Sequence, residues 1–275
     1  MLVSALLLAA PAARGAITCT VTSPGWSTAY VPANPGTNVS QSSVTVTCQR
    51  NAGGDPTTLD YTVAVNNGSN RSGAQDRARL GATANYINYE NYRDSTCASL
   101  WGSIVSQRIA GSMTLSGFTP TTATTSFWGC VPASQLGKPA GTYTDAVSIT
   151  LRRGNTTLDT GTFPVSIYTP AVCNITTAPG TVAFTYAAFQ VSAALASTTF
   201  GVTCSNLLPY TMALDATVGV VSGLQYSLGL SASGSTGTGV GQTFSINGTM
   251  PADQAGTCAT GGCSGTDTRT LTITY

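Results

Sequence analysis

The side chains that most often perform chemistry are scarce in this sequence, which contains no histidine among its 275 residues. Without an imidazole, neither a Ser/His/Asp triad nor a Cys/His pair can form. Paired carboxylates could in principle hydrolyse a glycosidic bond, but the ten acidic residues show no spacing that indicates a pair. Isolated aspartates are expected in turns, where they hydrogen-bond the local backbone. We therefore expect a protein that is not an enzyme.

Cysteines are the remaining reactive groups, and an even number of them in an exported chain is typical of disulfides. The chain has eight: Cys19, Cys48, Cys97, Cys130, Cys173, Cys204, Cys258 and Cys263. Metal binding is the alternative interpretation, but Cys258 and Cys263 have no second pair at zinc-site spacing. We expect disulfides, no metal site and no cofactor.

Export is indicated by residues 1–16, which we interpret as a secretory signal peptide. The apolar run Leu2–Ala10 is short, and small residues follow it. A membrane-spanning helix would need about 20 apolar residues. Charged residues make up only 8% of the chain and the net charge is +1, so a nucleic acid is not expected as a partner.

The chain consists of two similar halves. Cys19 and Cys48 have nearly the same separation as Cys173 and Cys204. Val46–Cys48 matches Val202–Cys204 in sequence, and Val131–Gln135 later resembles Met250–Gln254. Because the matches keep their order, an internal duplication is the better explanation. The repeat predicts the disulfides Cys19–Cys48 and Cys173–Cys204; we also expect Cys97–Cys130 and Cys258–Cys263.

Each half contains short runs in which apolar and polar residues alternate with a period of two, as in half-buried strands. Val44 and Val46 share one face of such a run, and Tyr61, Val63 and Val65 share a face of the next. No window sustains a helical period. The sequence predicts an all-β protein with two tandem immunoglobulin-like β-sandwiches, at residues 17–169 and 170–275.

The last strand differs between the halves. Thr142–Leu151 continues into another alternating run that places Phe163, Val165 and Ile167 on one face, so the first sandwich can close itself. Its counterpart Thr266–Tyr275 ends the sequence. We expect the second sandwich to be incomplete, with Leu271, Ile273 and Tyr275 along an open groove. Pro164 interrupts the closing strand, which a sheet edge tolerates best.

Loops of the first half are longer and richer in apolar residues than those of the second. Exposed apolar loops often mark a contact surface. The candidates are Leu100, Trp101, Ile104, Val105, Phe118, Phe127 and Trp128. The alternative is that these side chains fill the ends of the sandwich beside the Cys97–Cys130 bridge. Trp26 and Tyr30 could stack on a sugar, but core positions are the more common place for such aromatics.

The ordered motifs resemble the spore coat protein U domain family. They are strands that begin at a cysteine, Val-Thr-Cys strand ends, Leu-Trp-Gly at 100–102, Gly-Thr-Tyr-Thr-Asp at 141–145 and the terminal Thr-Ile-Thr-Tyr. The resemblance covers nearly all of residues 17–275. In the second half, residues 229–241 replace the Leu-Trp-Gly motif, and Asp267 lacks the preceding tyrosine.

The resemblance implies a subunit of an archaic, Csu-type chaperone–usher pilus. Such subunits lack their last strand and receive it first from a periplasmic chaperone and then from the next subunit. Few residues precede Cys19, so this chain is expected to accept a strand without donating one, as a two-domain tip adhesin would. Its expected partners are the chaperone, the outer-membrane usher, the next subunit and an abiotic or host surface. Its expected location is the pilus tip at the cell surface, reached through the periplasm. The alternative is a structural coat or pilus adaptor protein without adhesive activity.

Overall fold

The computed structural model describes residues 17–32, 35–258 and 262–275. The expected signal peptide lies outside the described residues. Within them the chain forms strands and one short 3-10 turn at Val105–Gln107, which confirms the all-β prediction. The chain forms two compact units with a main boundary close to residue 168, and the short segments 29–32 and 134–142 group with the later unit. We call the unit containing the first ten strands the first domain, and the unit containing the remaining strands the second domain.

Ten strands form one curled sheet in the first domain. They are β1 (Thr18–Thr22), β2 (Trp26–Ala29), β3 (Asn38–Gln49), β4 (Thr58–Val65), β5 (Asp76–Leu80), β6 (Tyr86–Tyr92), β7 (Ile109–Thr114), β8 (Thr121–Val131), β9 (Gly141–Arg153) and β10 (Thr156–Thr169). Their order is β1-β3-β8-β6-β5-β9-β10-β2, and β4 pairs with β7 and β9. Alternation sets which residues enter the core: Val44 and Val46 of β3 are buried, whereas Thr45 and Thr47 between and beyond them are not.

Two sheets form the second domain. The strands are β11 (Cys173–Thr177), β12 (Ala194–Cys204), β13 (Pro209–Leu214), β14 (Val218–Val221), β15 (Leu224–Leu230), β16 (Gly234–Thr236), β17 (Gly241–Met250) and β18 (Leu271–Thr274). One sheet has the order β11-β12-β17-β15-β14 and the other β16-β13-β18. The two domains are immunoglobulin-like, as the sequence predicted.

Disulfides join Cys19 to Cys48, Cys97 to Cys130, Cys173 to Cys204 and Cys258 to Cys263. The first and third link a domain's first strand to the end of the next long strand, where each cysteine pair is also a register pair. The chain-entropy treatment gives roughly 3–4 kcal/mol of stabilisation for closing a loop of this size. These cross-links hold the edge strands β1 and β11 in place.

The two domains differ in how completely they bury their apolar residues. Of the twelve largest fully buried side chains among the described residues, only Phe200 follows residue 170. The core cluster of the second domain centres on Phe200, Val202, Tyr210, Met212 and Ile246, with half-buried apolar side chains packed around it. A core that stays partly open to water loses part of its hydrophobic stabilisation.

Candidate functional site

One edge of the second domain ends without a partner strand. β18 pairs with β13, from Thr211 opposite Thr274 to Leu214 opposite Leu271, and no described strand lies on its other side. Leu271 and Ile273 are half-buried against the core cluster, and Tyr275 is exposed. Unpaired backbone groups beside a partly exposed apolar surface form a template for strand addition.

The corresponding edge of the first domain is filled. β9, the counterpart of β18, is followed by a tight turn at Gly154 and then by β10, which lies between β9 and β2. Phe163, Val165 and Ile167 of β10 are all buried. Pro164 lies against Gly25, immediately before β2 begins, where a Cβ on Gly25 would meet the Pro164 carbonyl oxygen. The sequence predicted an edge strand for Pro164, but β10 lies between β9 and β2 and is not an edge strand. The proline lies where β2 begins to pair with β10.

The segment 181–186 packs against the same core cluster as β18, since Val182, Leu271 and Ile273 all contact that cluster. It alternates like a strand, with Val182, Phe184 and Tyr186 half-buried and the residues between them exposed, yet it belongs to no sheet. Its place matches that of β2. A Cβ on Gly248 would meet Phe184 and Val182, as a Cβ on Gly129 would meet Trp26.

A second contact confirms this correspondence. The Tyr186 hydroxyl accepts a hydrogen bond from the backbone N–H of Gln254 at 3.0 Å. The Tyr30 hydroxyl, directly after β2, accepts one from the backbone N–H of Gln135 at 3.1 Å. We define the acceptor groove as the space bounded by β18 and the segment 181–186, which in the first domain is occupied by β10.

Val21 and Ile175 show what the closing strand contributes. Each pairs with a core valine of the neighbouring strand, Val21 with Val46 and Ile175 with Val202. Val21 is 3% exposed, and its backbone N–H donates to Asp159 Oδ2 of β10 at 2.8 Å. Ile175 is 46% exposed. The same position is therefore covered where β10 is present and uncovered in the second domain.

Two of the proposed surface-binding residues are core residues instead. Trp101 and Phe127 are buried, and their ring centroids lie 4.7 Å apart. The Trp101 indole N–H donates to the Val63 carbonyl oxygen at 2.9 Å, and the Phe163 ring of the closing strand stacks at 6.1 Å. These two residues fill the sandwich, as the alternative interpretation in the sequence analysis held.

The exposed candidates do not form one patch. Ile104 and Val105 are exposed just before β7, whereas Phe118 is exposed just after it. A strand of six residues separates the two loops by about 20 Å. The guanidinium of Arg50 lies 5.9 Å from the centre of the Phe118 ring, and Gln49 Nε2 donates to the Phe118 carbonyl oxygen.

Of the other candidates, Leu100 is half-buried and forms an isolated bridge to Tyr92. Trp128 is half-buried on β8 opposite Gln41. Trp26 and Tyr30 are both buried, and Trp26 packs edge-on against Tyr89 at 5.4 Å. Because these two aromatics are enclosed, they offer no stacking face to a sugar.

Buried carboxylates in the first domain were not singled out by the sequence. Tyr89 Oη donates to Asp145 Oδ2 at 2.7 Å, and Asp145 Oδ1 accepts from the backbone N–H groups of Ser69 and Asn70. Asp76 is also buried, but its Oδ1 has no hydrogen-bond donor, and its Oδ2 accepts a 3.4 Å bond from Asn91. Burial first, and then the charges of Glu90 and Asp145, raise the pKa of Asp76 to about 8.

Stability of the first domain is therefore expected to fall with rising pH. The unfolded carboxyl loses its proton near pH ~4, whereas the folded one keeps it up to about 8, so the folded state binds more protons in that window. Replacing Asp76→Asn should flatten the pH dependence between pH ~4 and ~8 and raise the stability at the upper end by roughly a few kcal/mol. Denaturant unfolding of the full chain followed across this range measures it.

Asp60→Asn, at an exposed position of β4, is the matched control and should leave the slope unchanged. Equal slopes for the wild type and Asp76→Asn would contradict the assignment of a buried, protonated Asp76.

The second domain has a related but more open cluster. Tyr226 Oη donates to Asp267 Oδ2 at 2.5 Å, as Tyr89 does to Asp145, and Arg269 pairs with Asp267 at 2.6 Å. Arg269 Nη2 also donates to the Val218 carbonyl oxygen at 3.2 Å. The residues before β18, although they form no strand, are thereby fixed to β14 and β15. These bonds fix the segment that leads into β18, one side of the acceptor groove.

Sequence reasoning missed the segment 181–186 as one wall of the groove. Its signal was present, since Val182, Phe184 and Tyr186 alternate with Thr181, Ala183 and Thr185. No group of three metal-ligating side chains occurs within the described ranges. The same ranges contain no helix long and apolar enough to cross a membrane.

The sequence matches the Spore Coat Protein U domain family over residues 4–150 and 159–272, so the chain belongs to that family. The second matched stretch begins within β10, ahead of the first strand of the second domain. A comparison with curated proteins gave no match.

Solved structures with similar architecture include pilus tip proteins. One is a chain of the CsuC–CsuE chaperone–tip adhesion subunit complex of the archaic Csu pili of Acinetobacter baumannii, with 14% identity and a TM-score of 0.48 over 94% of this chain and 100% of that chain. Another is the CupB6 tip adhesin of Pseudomonas aeruginosa, with 10% identity and a TM-score of 0.46 over 95% and 96%. Identities this low give no residue-level correspondence.

Proposed function

We propose that this protein is a non-enzymatic subunit of a chaperone–usher pilus and that its second domain accepts a strand from the next subunit. One observation carries the proposal: β18 and the strand-like segment 181–186 border a groove that is open in the second domain and filled by β10 in the first. The family assignment is consistent with it.

The physical basis is addition of an extended segment to a sheet edge. The free backbone groups of β18 would gain hydrogen bonds, and alternate side chains would enter the groove beside Leu271, Ile273 and Val182. Each large apolar side chain that is fully buried contributes about 1.5–3 kcal/mol. A periplasmic chaperone would fill the groove before assembly at the outer-membrane usher, and the next subunit would fill it afterwards.

The first domain has a different role in this proposal. Because β10 closes it, it needs no donor strand and is available to attach the fibre tip to an abiotic or host surface. Phe118 is the candidate contact, since it lies at the end of the sandwich where β3 reaches Cys48 opposite Thr121. β10 leaves the domain at the opposite end, where Tyr30 N–H donates to the Tyr168 carbonyl oxygen.

Strand binding by the full chain tests the acceptor role. A labelled peptide with the sequence of β10, residues 160–169, should bind the wild type. It should not bind a chain carrying Ile273→Asp, because the substitution places an unpaired charge in the apolar groove. Failure of the wild type to bind any strand with three alternating large apolar residues would refute the acceptor role.

Surface attachment tests the role of the first domain. Replacing Phe118→Ser should lower attachment of fibre-bearing cells to polystyrene by roughly tenfold, since one exposed aromatic loses its apolar contact. Attachment is counted per cell and normalised to the amount of this protein in sheared fibres.

Val105→Ser is the matched control for Phe118→Ser because Val105 is also exposed but lies at the other end of β7. It should leave attachment unchanged. If neither substitution alters attachment, the protein fits a structural or adaptor subunit instead of an adhesin.

A further inference from the structure

A loop of the second domain displays large apolar side chains in a stretch of sequence without charged residues. Phe189 is 64% exposed, Val191 is 97% exposed, and Leu195 at the start of β12 is 77% exposed. No Lys, Arg, Asp or Glu occurs between Asp159 and Asp215. An acidic residue, the exposed Asp253, lies beside the loop, since its backbone N–H bonds to Gln190. Exposed apolar residues that lie close together in sequence are typical of a protein contact surface.

Hydrogen bonds hold the loop in this exposed arrangement. The backbone of Phe189 adopts a φ of +55°, a conformation that costs about 1–3 kcal/mol for a residue with a side chain. Phe189 N–H donates to the Gln254 carbonyl oxygen at 2.8 Å, and Asp253 N–H donates to the Gln190 carbonyl oxygen at 2.9 Å.

The side chain of Gln190 fixes the loop further. Its Oε1 accepts from the backbone N–H of Ala187 at 3.0 Å, and its Nε2 donates to the Ser192 carbonyl oxygen at 2.7 Å. These bonds keep Phe189 from folding back onto the domain. A partner that binds the loop therefore does not have to order it, which favours affinity.

The direction of the closing strand in the first domain shows what would lie beside this loop. Pro164 of β10 lies against Gly25, and the Tyr168 carbonyl oxygen accepts from Tyr30 N–H. From the first of these contacts to the second, the residue number rises on both segments, from 25 to 30 and from 164 to 168. β10 and β2 therefore run parallel. Tyr186 is the counterpart of Tyr30, since both hydroxyls accept from a matching glutamine N–H.

A strand inserted into the acceptor groove in the direction of β10 would leave it beside Tyr186. Phe189 follows only three residues later, at most about 10 Å along the chain. In the proposed exchange the N-terminal extension of the next subunit supplies the strand, so the folded body that follows the strand would begin next to the loop. We infer that Phe189, Val191 and Leu195 form a second contact for the body of the subunit that donates the strand.

This inference rests on the proposed acceptor function and adds a partner surface to it. The surface expected on the donor subunit is apolar and lies close to the end of its donated strand. The contact would act together with the strand, because the strand raises the effective concentration of the attached body.

Photocrosslinking in assembled fibres tests the contact. With p-benzoylphenylalanine at position 191 of the full-length protein, the expected product has the combined mass of this chain and one fibre subunit. The same label at position 240 should give no such product. Val240 is also exposed, but it lies just before the start of β17. The loop lies near the other end of β17, where Met250 pairs with Ala194. A product with the mass of two copies of this chain, or no product, would overturn the inference.

Substitution provides a second, independent readout. Val191→Ser, alone and together with Phe189→Ser, should lower the amount of this protein retained in sheared fibres by at least about tenfold. Binding of the isolated 160–169 peptide should stay at the wild-type level. Unchanged retention with normal peptide binding would refute the second contact, whereas loss of peptide binding by the wild type would refute the acceptor role itself. Val191→Ser alone is not expected to affect folding, because the Val191 side chain is almost fully exposed.

Discussion

A peptide that fills the acceptor groove is expected to raise the unfolding temperature of the second domain by roughly 10–20 °C. Binding only to the folded state at about 100 times the dissociation constant contributes about 2.7 kcal/mol. In a domain of about 100 residues, each kcal/mol shifts the midpoint by about 4–8 °C. The half-buried Leu271 and Ile273, and Ile175 at 46% exposure, are the side chains that would gain cover.

Calorimetry of the full chain measures this effect, because the transition of the first domain provides an internal reference. That transition should not move, since β10 already occupies the corresponding site. A peptide with serine at the positions of Phe163, Val165 and Ile167 is the matched control and should have no effect. A second domain that unfolds as late without the peptide as with it would contradict the open-groove assignment.

Replacing Phe163→Ala is expected to destabilise the first domain by about 3–5 kcal/mol, the range for buried phenylalanine truncations. The Phe163 ring is fully buried, stacks on Trp101 at 6.1 Å and lies 5.4 Å from the Phe127 ring. Its loss would leave a cavity between the closing strand and the two aromatic residues that hold the sandwich together. Denaturant unfolding of the full chain gives the change in the free energy of unfolding.

Tyr168→Ala in the same strand is the control, because the Tyr168 side chain is exposed. It should cost less than about 1 kcal/mol. The transition of the second domain should be unaffected by either substitution. If Phe163→Ala and Tyr168→Ala cost the same, β10 would not be the strand that completes the core.

Properties that depend on local pattern could be read from the sequence. The alternation of Phe163, Val165 and Ile167 predicted a strand with one buried face, and the strand has it. Successive side chains of a strand point to opposite faces of the sheet because the backbone is pleated. The buried face can therefore be predicted without knowing which distant strands pair. The repeated spacing of Cys19 and Cys48 at Cys173 and Cys204 likewise pointed to the bonds that the structure contains.

Loops could not be assigned in this way, because a residue type does not tell whether a loop turns inward. Trp101 and Phe118 are both aromatic loop residues, yet Trp101 is buried under β10 and Phe118 is exposed beside Arg50. Asp76 was inconspicuous in the sequence, and only packing against its neighbours raises its pKa to about 8. These outcomes depend on which distant strands meet.

The sequence by itself determined the duplication, the strand content and the family, because repeats, period-two alternation and cysteine spacing are properties of neighbouring residues. Only the tertiary structure decided that β18 has no second partner strand among the described residues, that the segment 181–186 lies outside any sheet, and that Phe189 is exposed. The physical reason is that a groove and an exposed loop are defined by what surrounds them. In this protein those surroundings come from strands far apart in the chain.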